Sequence, residues 1–287
     1  MIIRREGTYT TGFKYYKGND EIKDKSELEA IKGYKIPPAY QNVVIVNTKK
    51  IIAYGYDTKG RKQVIYQPNF IKKQNDKKYK KIFTSMKIFE KIKRTVAKDL
   101  KSSNIKKKEI AMIITLIFTC GFRIGNKKYE KENNSVGLTT LKFSHLKFQS
   151  NKIHIDFIGK KGVRNIAICN NKYIYNYLNN KYTNTKDTTD DTYVFSYNDK
   201  SITSKDVNDY LKAIDSKTKI TSKDLRTWNA NYLFMKYMRK QKKGVKNPIK
   251  KAIEMVATKL HNTYAICKKS YIDPRIVQFA EIKKNDI

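Results

Sequence analysis

The run Ile110-Ala111-Met112-Ile113-Ile114-Thr115-Leu116-Ile117-Phe118 is the longest apolar stretch in a chain otherwise crowded with lysine. It falls far short of the 18 or so apolar residues that a membrane span needs, so its place is inside protein. It reads as a buried helix, from about Lys107 to Thr119, that stops at Gly121. With 287 residues and 39% hydrophobic content, the chain can build a core around it as one large domain or two modest ones.

The pattern on either side differs. Residues 1–75 read as a small β-rich domain: Val43–Val46 and Ile51–Tyr54 are short apolar strands joined by a polar turn, and Val64–Tyr66 follows Gly60. Glu21 to Ile31 reads as one short helix. Asn75-Asp76-Lys77-Lys78 reads as a charged link, and residues 76–287 as a mainly helical domain. There Ile82, Phe83, Met86, Phe89, Ile92, Val96 and Leu100 form the apolar stripe of a long basic helix. Lys152–Ile158 alternates and Val163–Cys169 is its partner strand, so the turn Gly159-Lys160-Lys161-Gly162 puts a lysine on a hairpin tip. Helices are expected over Asn171–Lys181, Ser204–Lys217, Ser222–Lys242 and from Pro248 to about Leu260, with a polar loop over Thr183–Asp191. The expected class is α+β, and the basic link lets two halves close around something cylindrical.

Charge says what that object is. Lys and Arg total 62 against 26 Asp and Glu, a formal excess of +36 spread along the chain. Such an excess repels itself unless a polyanion neutralises it, which puts nucleic acid first and an anionic membrane surface second. Met1–Glu6 lacks the order of a secretory signal. Cys120, Cys169 and Cys267 are odd in number and far apart in sequence, and with His145, His154 and His261 they make no metal-ligand spacing. An intracellular, reducing compartment, no cofactor and no metal are therefore expected.

Tyr271 lies in Cys267-Lys268-Lys269-Ser270-Tyr271-Ile272-Asp273-Pro274, among cations. Half-ionising a phenol of pKa ~10 at neutral pH takes roughly 4 kcal/mol. One cation about 4 Å away supplies roughly that at an effective dielectric of 20. A tyrosine so placed attacks a phosphate without a metal or a carboxylate base. Three further segments present cations at turns or helix starts: Gly121-Phe122-Arg123-Ile124-Gly125-Asn126, Gly159-Lys160, and Lys223-Asp224-Leu225-Arg226-Thr227-Trp228. Singly, each reads as well as a surface charge, and Arg226 as a partner for Asp224.

Together, these segments resemble the type IB DNA topoisomerases of the compact poxvirus and bacterial kind. Ser135-Val136-Gly137-Leu138-Thr139-Thr140-Leu141 and, in the first domain, Ile36-Pro37-Pro38-Ala39-Tyr40 and Asp57-Thr58-Lys59-Gly60-Arg61-Lys62-Gln63 extend the match over nearly the whole chain in the family's order. The resemblance implies the catalytic fold shared by tyrosine recombinases and these topoisomerases. It also implies cleavage of one strand of duplex DNA through a 3′-phosphotyrosyl link, swivelling and religation, without ATP. The absence of a phosphate-binding P-loop agrees: Arg61-Lys62 follows Gly60 where Lys-Ser/Thr is required.

By the same resemblance the nucleophile is Tyr271, Arg123 and Arg226 hold the non-bridging oxygens of the scissile phosphate, and Lys160 protonates the leaving 5′-oxygen. The fifth position, a His or Asn nine residues before the tyrosine, is Asn262 by register. His261, where glycine is usual, is the alternative if the backbone turns differently. Arg61, Gln63, Tyr66, Asn126, Lys128 and Tyr129 stand where relatives grip DNA. Val64 at a usually aromatic position and Tyr264 at a customary proline depart from the pattern. The expected partner is double-stranded DNA, clamped by a monomer. Competing readings are a tyrosine recombinase, which usually carries His where Lys223 stands, and a duplex-binding protein without catalysis.

Overall fold

A computed structural model describes residues 2–184, 189–241 and 244–285, with side chains as far as 282. It divides into two units, Met1–Lys80 and Lys81–Ile287. The N-terminal unit is an antiparallel sheet of six strands in the order β3-β2-β1-β4-β5-β6. The strands are β1 Ile3–Thr8, β2 Gly12–Lys17, β3 Asp20–Glu21, β4 Gln41–Ile45, β5 Ile51–Tyr56 and β6 Lys62–Tyr66, with helix α1 (Lys25–Gly33) between β3 and β4. Val43, Ile45, Ile52 and Ala53 bury one face with Ile22 and with Ile31 of α1. The apolar runs that mark β4 to β6 are lacking in β1 and β2. There Arg5 takes an apolar position: its buried guanidinium donates to the carbonyls of Pro37 and Pro38 and lies 4.2 Å from the Phe13 ring centre. Helix α1 also starts later than the expected Glu21, because Glu21 pairs in β3 and the Asp24 side chain caps the helix.

The charged link Asn75–Lys78 lies within a helix, α2 (Pro68–Thr84), which opens on proline and contains no later glycine or proline, and the division between the units falls in that helix, at Lys80 and Lys81. The long basic helix is two, broken at Ser85, which is buried in a non-helical conformation before α3 (Met86–Asp99).

In the second unit α4 (Ile105–Cys120) is the central helix, with Ile110 to Ile114, Leu116 and Ile117 all buried. Glu109 lies in the same helix, fully buried, and is satisfied there by Tyr177 Oη at 2.9 Å, Lys181 Nζ at 2.6 Å and the Ser196 amide. After α5 (Lys127–Asn133) comes a three-stranded antiparallel sheet of β7 (Leu146–Gln149), β8 (Lys152–Ile158) and β9 (Arg164–Cys169). The expected hairpin is β8–β9, and β7 adds a strand. Helix α6 (Lys172–Asn184), the short hairpin β10–β11 (Ser196–Tyr197, Lys200–Ser201), α7 (Ser204–Ile214), α8 (Ser222–Arg239), α9 (Pro248–Lys259), α10 (Tyr264–Ser270) and α11 (Pro274–Asn285) complete it. Helix α6 thus runs into the expected loop, of which residues 185–188, like Lys242 of the expected α8, lie outside the described residues. Helix α7 ends before the expected Lys217 because the Asp215 carboxylate turns the chain by accepting the Thr218 amide.

Helix α8 joins two apolar clusters. Leu225 and Trp228 belong to the cluster around α4, whereas Ala230 and Phe234 pack with α9, Leu260, Cys267 and Ile272. Arg226 therefore sits where the two meet. Among the described residues no helix is long and apolar enough to cross a membrane, and Cys120, Cys169 and Cys267 are buried free thiols.

Candidate active site

The site begins where α4 stops. Gly121 caps the helix at φ +70°, and a Cβ there would lie 2.1 Å from the Lys259 carbonyl oxygen, so only glycine lets α4 meet the end of α9. Phe122 is buried edge-on against Phe157 of β8, 4.9 Å between ring centres. Arg123 follows, its carbonyl accepting the Leu138 amide at 3.0 Å. Gly125, at φ +71°, lies so close to Gly137 that a Cβ would be 2.7 Å from the Gly137 Cα. The Gly-Phe-Arg-Ile-Gly and Val-Gly-Leu-Thr segments are thus locked together, which fixes the direction of Arg123.

Arg226 enters from the first turns of α8, whose start is closed by reciprocal bonds between Thr221 and Asp224. Asp224 does not take Arg226 as partner; it pairs with Lys81 at 2.7 Å. Arg226 turns inward, donating from Nη1 to the Gly121 carbonyl and from Nη2 to the Leu260 carbonyl at 3.1 Å. Its guanidinium carbon lies 5.3 Å from the centre of the Tyr271 ring.

Tyr271 ends α10, half-buried. Burial by itself pushes the phenol pKa up, but the charges of Arg226 and Arg123 and hydrogen bonds from both outweigh it and hold the phenol below its ordinary value. The backbone at Tyr271 is held by Asn231 of α8, a residue that sequence reasoning missed. Asn231 Nδ2 donates to the Tyr271 carbonyl at 2.9 Å, and its Oδ1 accepts the Asp273 amide at 2.8 Å. One turn and a half beyond Arg226, it ties the Tyr271 segment to the helix of Arg226. Two asparagines, Asn229 and Asn231, within the buried stretch of α8 were the available signal.

Asn262 and His261 part company. Asn262 Oδ1 accepts from Arg123 Nη2 at 2.7 Å. His261 Nε2 bonds the Cys120 carbonyl at 2.9 Å, and its ring stacks on Phe122 at 5.1 Å. A carbonyl only accepts, so Nε2 carries the proton and the neutral ring has no donor left for an anion. Burial, and after it the charges of Arg226, Lys259 and Arg123, lower the His261 pKa despite the Cys120 bond. Of the two alternatives for the fifth position, Asn262 is the one that bonds Arg123, while His261 bonds the end of α4.

Two buried donors, Arg226 Nε and Asn262 Nδ2, have no hydrogen-bond partner among the described residues. Buried donors are rarely left so, and each costs about 1–3 kcal/mol unless something accepts from it. One is on the arginine whose guanidinium faces the Tyr271 ring, the other on the amide that accepts from Arg123. The structure therefore brings together Tyr271, Arg123, Arg226 and Asn262. Lys160 makes no hydrogen bond or ion pair with them: it opens the one-turn link between β8 and β9, exposed.

The other expected contacts have local work. In the N-terminal unit, the Asp57 carboxylate takes Arg61 Nε at 2.9 Å and Gln63 Nε2 at 3.0 Å. The Arg61 side chain foremost, with the Arg61 and Lys59 amides, holds Asp57 down to about 2. Tyr66 stacks on Phe70 at 5.4 Å but keeps an exposed edge. In the second unit Asn126 caps α5 by accepting the Tyr129 amide at 2.9 Å, Lys128 pairs loosely with Glu132 at 3.8 Å, and the Tyr129 ring is exposed. No group of three or more His, Cys, Asp or Glu side chains is arranged for a metal ion among the described residues.

Residues 67–285 match the family described as "Eukaryotic DNA topoisomerase I, catalytic core". The chain is 28% identical over 289 aligned residues to the DNA topoisomerase 1B of Acanthamoeba polyphaga mimivirus, covering 91% of this chain and 81% of that one. It is 26% identical over 273 residues to the DNA topoisomerase 1B of vaccinia virus (strain Copenhagen), covering 91% and 84%. Among solved structures, the XerH site-specific recombinase bound to palindromic difH substrate aligns with a TM-score of 0.45 and 15% identity, over 68% of this chain and 51% of that one.

Proposed function

The chain belongs to the family of the eukaryotic topoisomerase I catalytic core, the type IB topoisomerases, and from that premise we propose that it relaxes positive and negative supercoils by reversible cleavage of one strand of duplex DNA. The observation that supports the mechanism is the pair of buried donors without a partner among the described residues, Arg226 Nε and Asn262 Nδ2, one on the arginine that faces the Tyr271 ring and one on the amide that holds Arg123, with a phenol whose pKa both arginines hold down.

In the proposed step Tyr271 first loses its proton to solvent, and the phenolate Oη attacks the phosphorus of a phosphodiester. The Oη–P bond forms, the P–O5′ bond breaks, and its electron pair leaves on O5′. Arg123, Arg226 and Asn262 donate to the non-bridging oxygens, where negative charge grows in the pentacoordinate transition state, and a rigid guanidinium suits two such contacts at once. An alkoxide leaves far less readily than a phenolate, so O5′ needs a proton as it departs, and Lys160 supplies it. The products are a 3′-phosphotyrosyl link and a free 5′-hydroxyl. After the cut strand has turned about the intact one, the hydroxyl attacks the link, Lys160 recovers its proton, and the phenolate leaves. One phosphoester replaces another in each direction, so neither ATP nor a redox partner enters the balance.

We assign DNA clamping to the N-terminal unit, through Arg61, Gln63 and Tyr66, and further grip to Asn126, Lys128 and Tyr129. One chain carries a complete set of reacting groups, so a monomer on one duplex suffices. The test is to quench a reaction on supercoiled plasmid with denaturant and map the adduct. A peptide containing Tyr271 linked to a 3′-phosphate, with a 5′-hydroxyl on the other end, is the expected result. A 5′-phosphate linkage, or an adduct on another residue, contradicts the proposal.

A further inference from the structure

His261 occupies a backbone conformation, φ +52°, that side chains other than glycine rarely take, although histidine is among those that take it more often. Something must hold it there, and the ring supplies two contacts: the 2.9 Å bond from Nε2 to the Cys120 carbonyl and the stack on Phe122. Both partners flank Gly121 and lead directly into Arg123. On its other side His261 leads into Asn262, whose Oδ1 receives Arg123 at 2.7 Å. The corner Leu260–Asn262 and the segment Cys120–Arg123 are thus sewn together by Arg226 on the carbonyls of Gly121 and Leu260, by Arg123 on Asn262, and by His261 on Cys120.

Accepting from Arg123 fixes which end of the Asn262 amide faces the arginine, and so leaves Nδ2 as the end that is free to donate. We propose that His261 is a positioning residue for strand cleavage: by tying the Leu260–Asn262 corner to the Cys120 carbonyl and the Phe122 ring, it sets the register in which Asn262 orients Arg123 and keeps Nδ2 open for a phosphate oxygen. The inference rests on the transesterase reading given above. It differs from a catalytic role because His261 itself has no donor to spare, and acts through Asn262.

The substitution His261→Gly separates the ring from the backbone, since glycine takes φ +52° without cost and the corner still folds. On supercoiled plasmid with protein in excess, the rate of denaturant-trapped adduct formation should fall about 10- to 100-fold, the loss expected from a misplaced contact. DNA affinity should stay within about threefold of wild type, because grip is spread over many phosphates. His261→Gln, whose amide also donates to a carbonyl, should recover most of the rate. In a double-mutant cycle, His261→Gly should slow an Asn262→Ala enzyme no further, because its effect runs through the missing side chain. An active wild type with an equally active His261→Gly variant overturns the proposal, and so does an additive loss in the cycle or a glutamine variant no better than glycine. Absence of any adduct from wild type fails the transesterase reading first, and this inference with it.

Discussion

At Tyr271 two opposed effects meet, and the sign of the outcome decides the pH dependence expected of the proposed reaction. Burial favours the neutral phenol, while Arg226 and Arg123 favour the phenolate and prevail. In the proposed reaction the attacking form is the phenolate, so cleavage should quicken as pH rises through the pKa of Tyr271, and a lowered pKa puts the expected rise below the usual range of tyrosine. Replacing Arg226 by Gln removes one charge and lets burial reassert itself. The rising limb of the single-turnover rate should therefore move to higher pH, on top of a lower plateau; an unmoved limb would deny Arg226 this part. The resemblance pointed to both arginines, but residue spacing alone offered Asp224 as a partner for Arg226, and only the fold shows Asp224 engaged with Lys81. The division of labour between Asn262 and His261 was likewise hidden in the sequence. It depends on which carbonyl lies across the helix junction, and Cys120 is remote from His261 along the chain. Asn231 escaped for a similar reason: its partners, Tyr271 and Asp273, are backbone groups that no side-chain motif announces.

Elements were legible where their periodicity was strong. The apolar run of α4, the stripe of α3, the alternation of β8 and β9 and the proline that opens α9 each fixed an element in advance. The strands β1 to β3 and β10 to β11 were not: β3, β10 and β11 have two residues each, and β1 and β2 are largely polar, with Arg5 engaged by carbonyls far along the chain. Ser85 breaks a pattern that the stripe alone would continue. Among junctions, that between α4 and α9 matters most, since both arginines and Asn262 are referred to it. Gly121→Ala should force φ +70° on alanine and drive a Cβ against the Lys259 carbonyl. The left-handed conformation alone costs about 1–3 kcal/mol, and the clash adds to it. A midpoint of chemical denaturation clearly below wild type, with loss of adduct formation, is the expected result. Unchanged stability would mean that the helix ends need not approach so closely.

Over the whole molecule the governing property is charge, +36 from 62 basic and 26 acidic residues. This much was plain from composition, and it decides the class of partner and the manner of binding without deciding the reaction. A duplex gripped through some six or more phosphates should lose about a thousandfold in affinity between roughly 50 and 200 mM salt, whatever its sequence. A shallow dependence in equilibrium titrations would point instead to a few contacts with bases. The central claim is that one tyrosine, without ATP or added metal, lets a strand of the duplex turn about its partner. Its most direct test is relaxation of negatively and positively supercoiled plasmid in EDTA without ATP, comparing wild type with Tyr271→Phe. Relaxation of both signs by wild type and of neither by the variant is the predicted result. Tight DNA binding with no relaxation at any salt concentration, or relaxation that survives loss of the Tyr271 hydroxyl, would contradict the account.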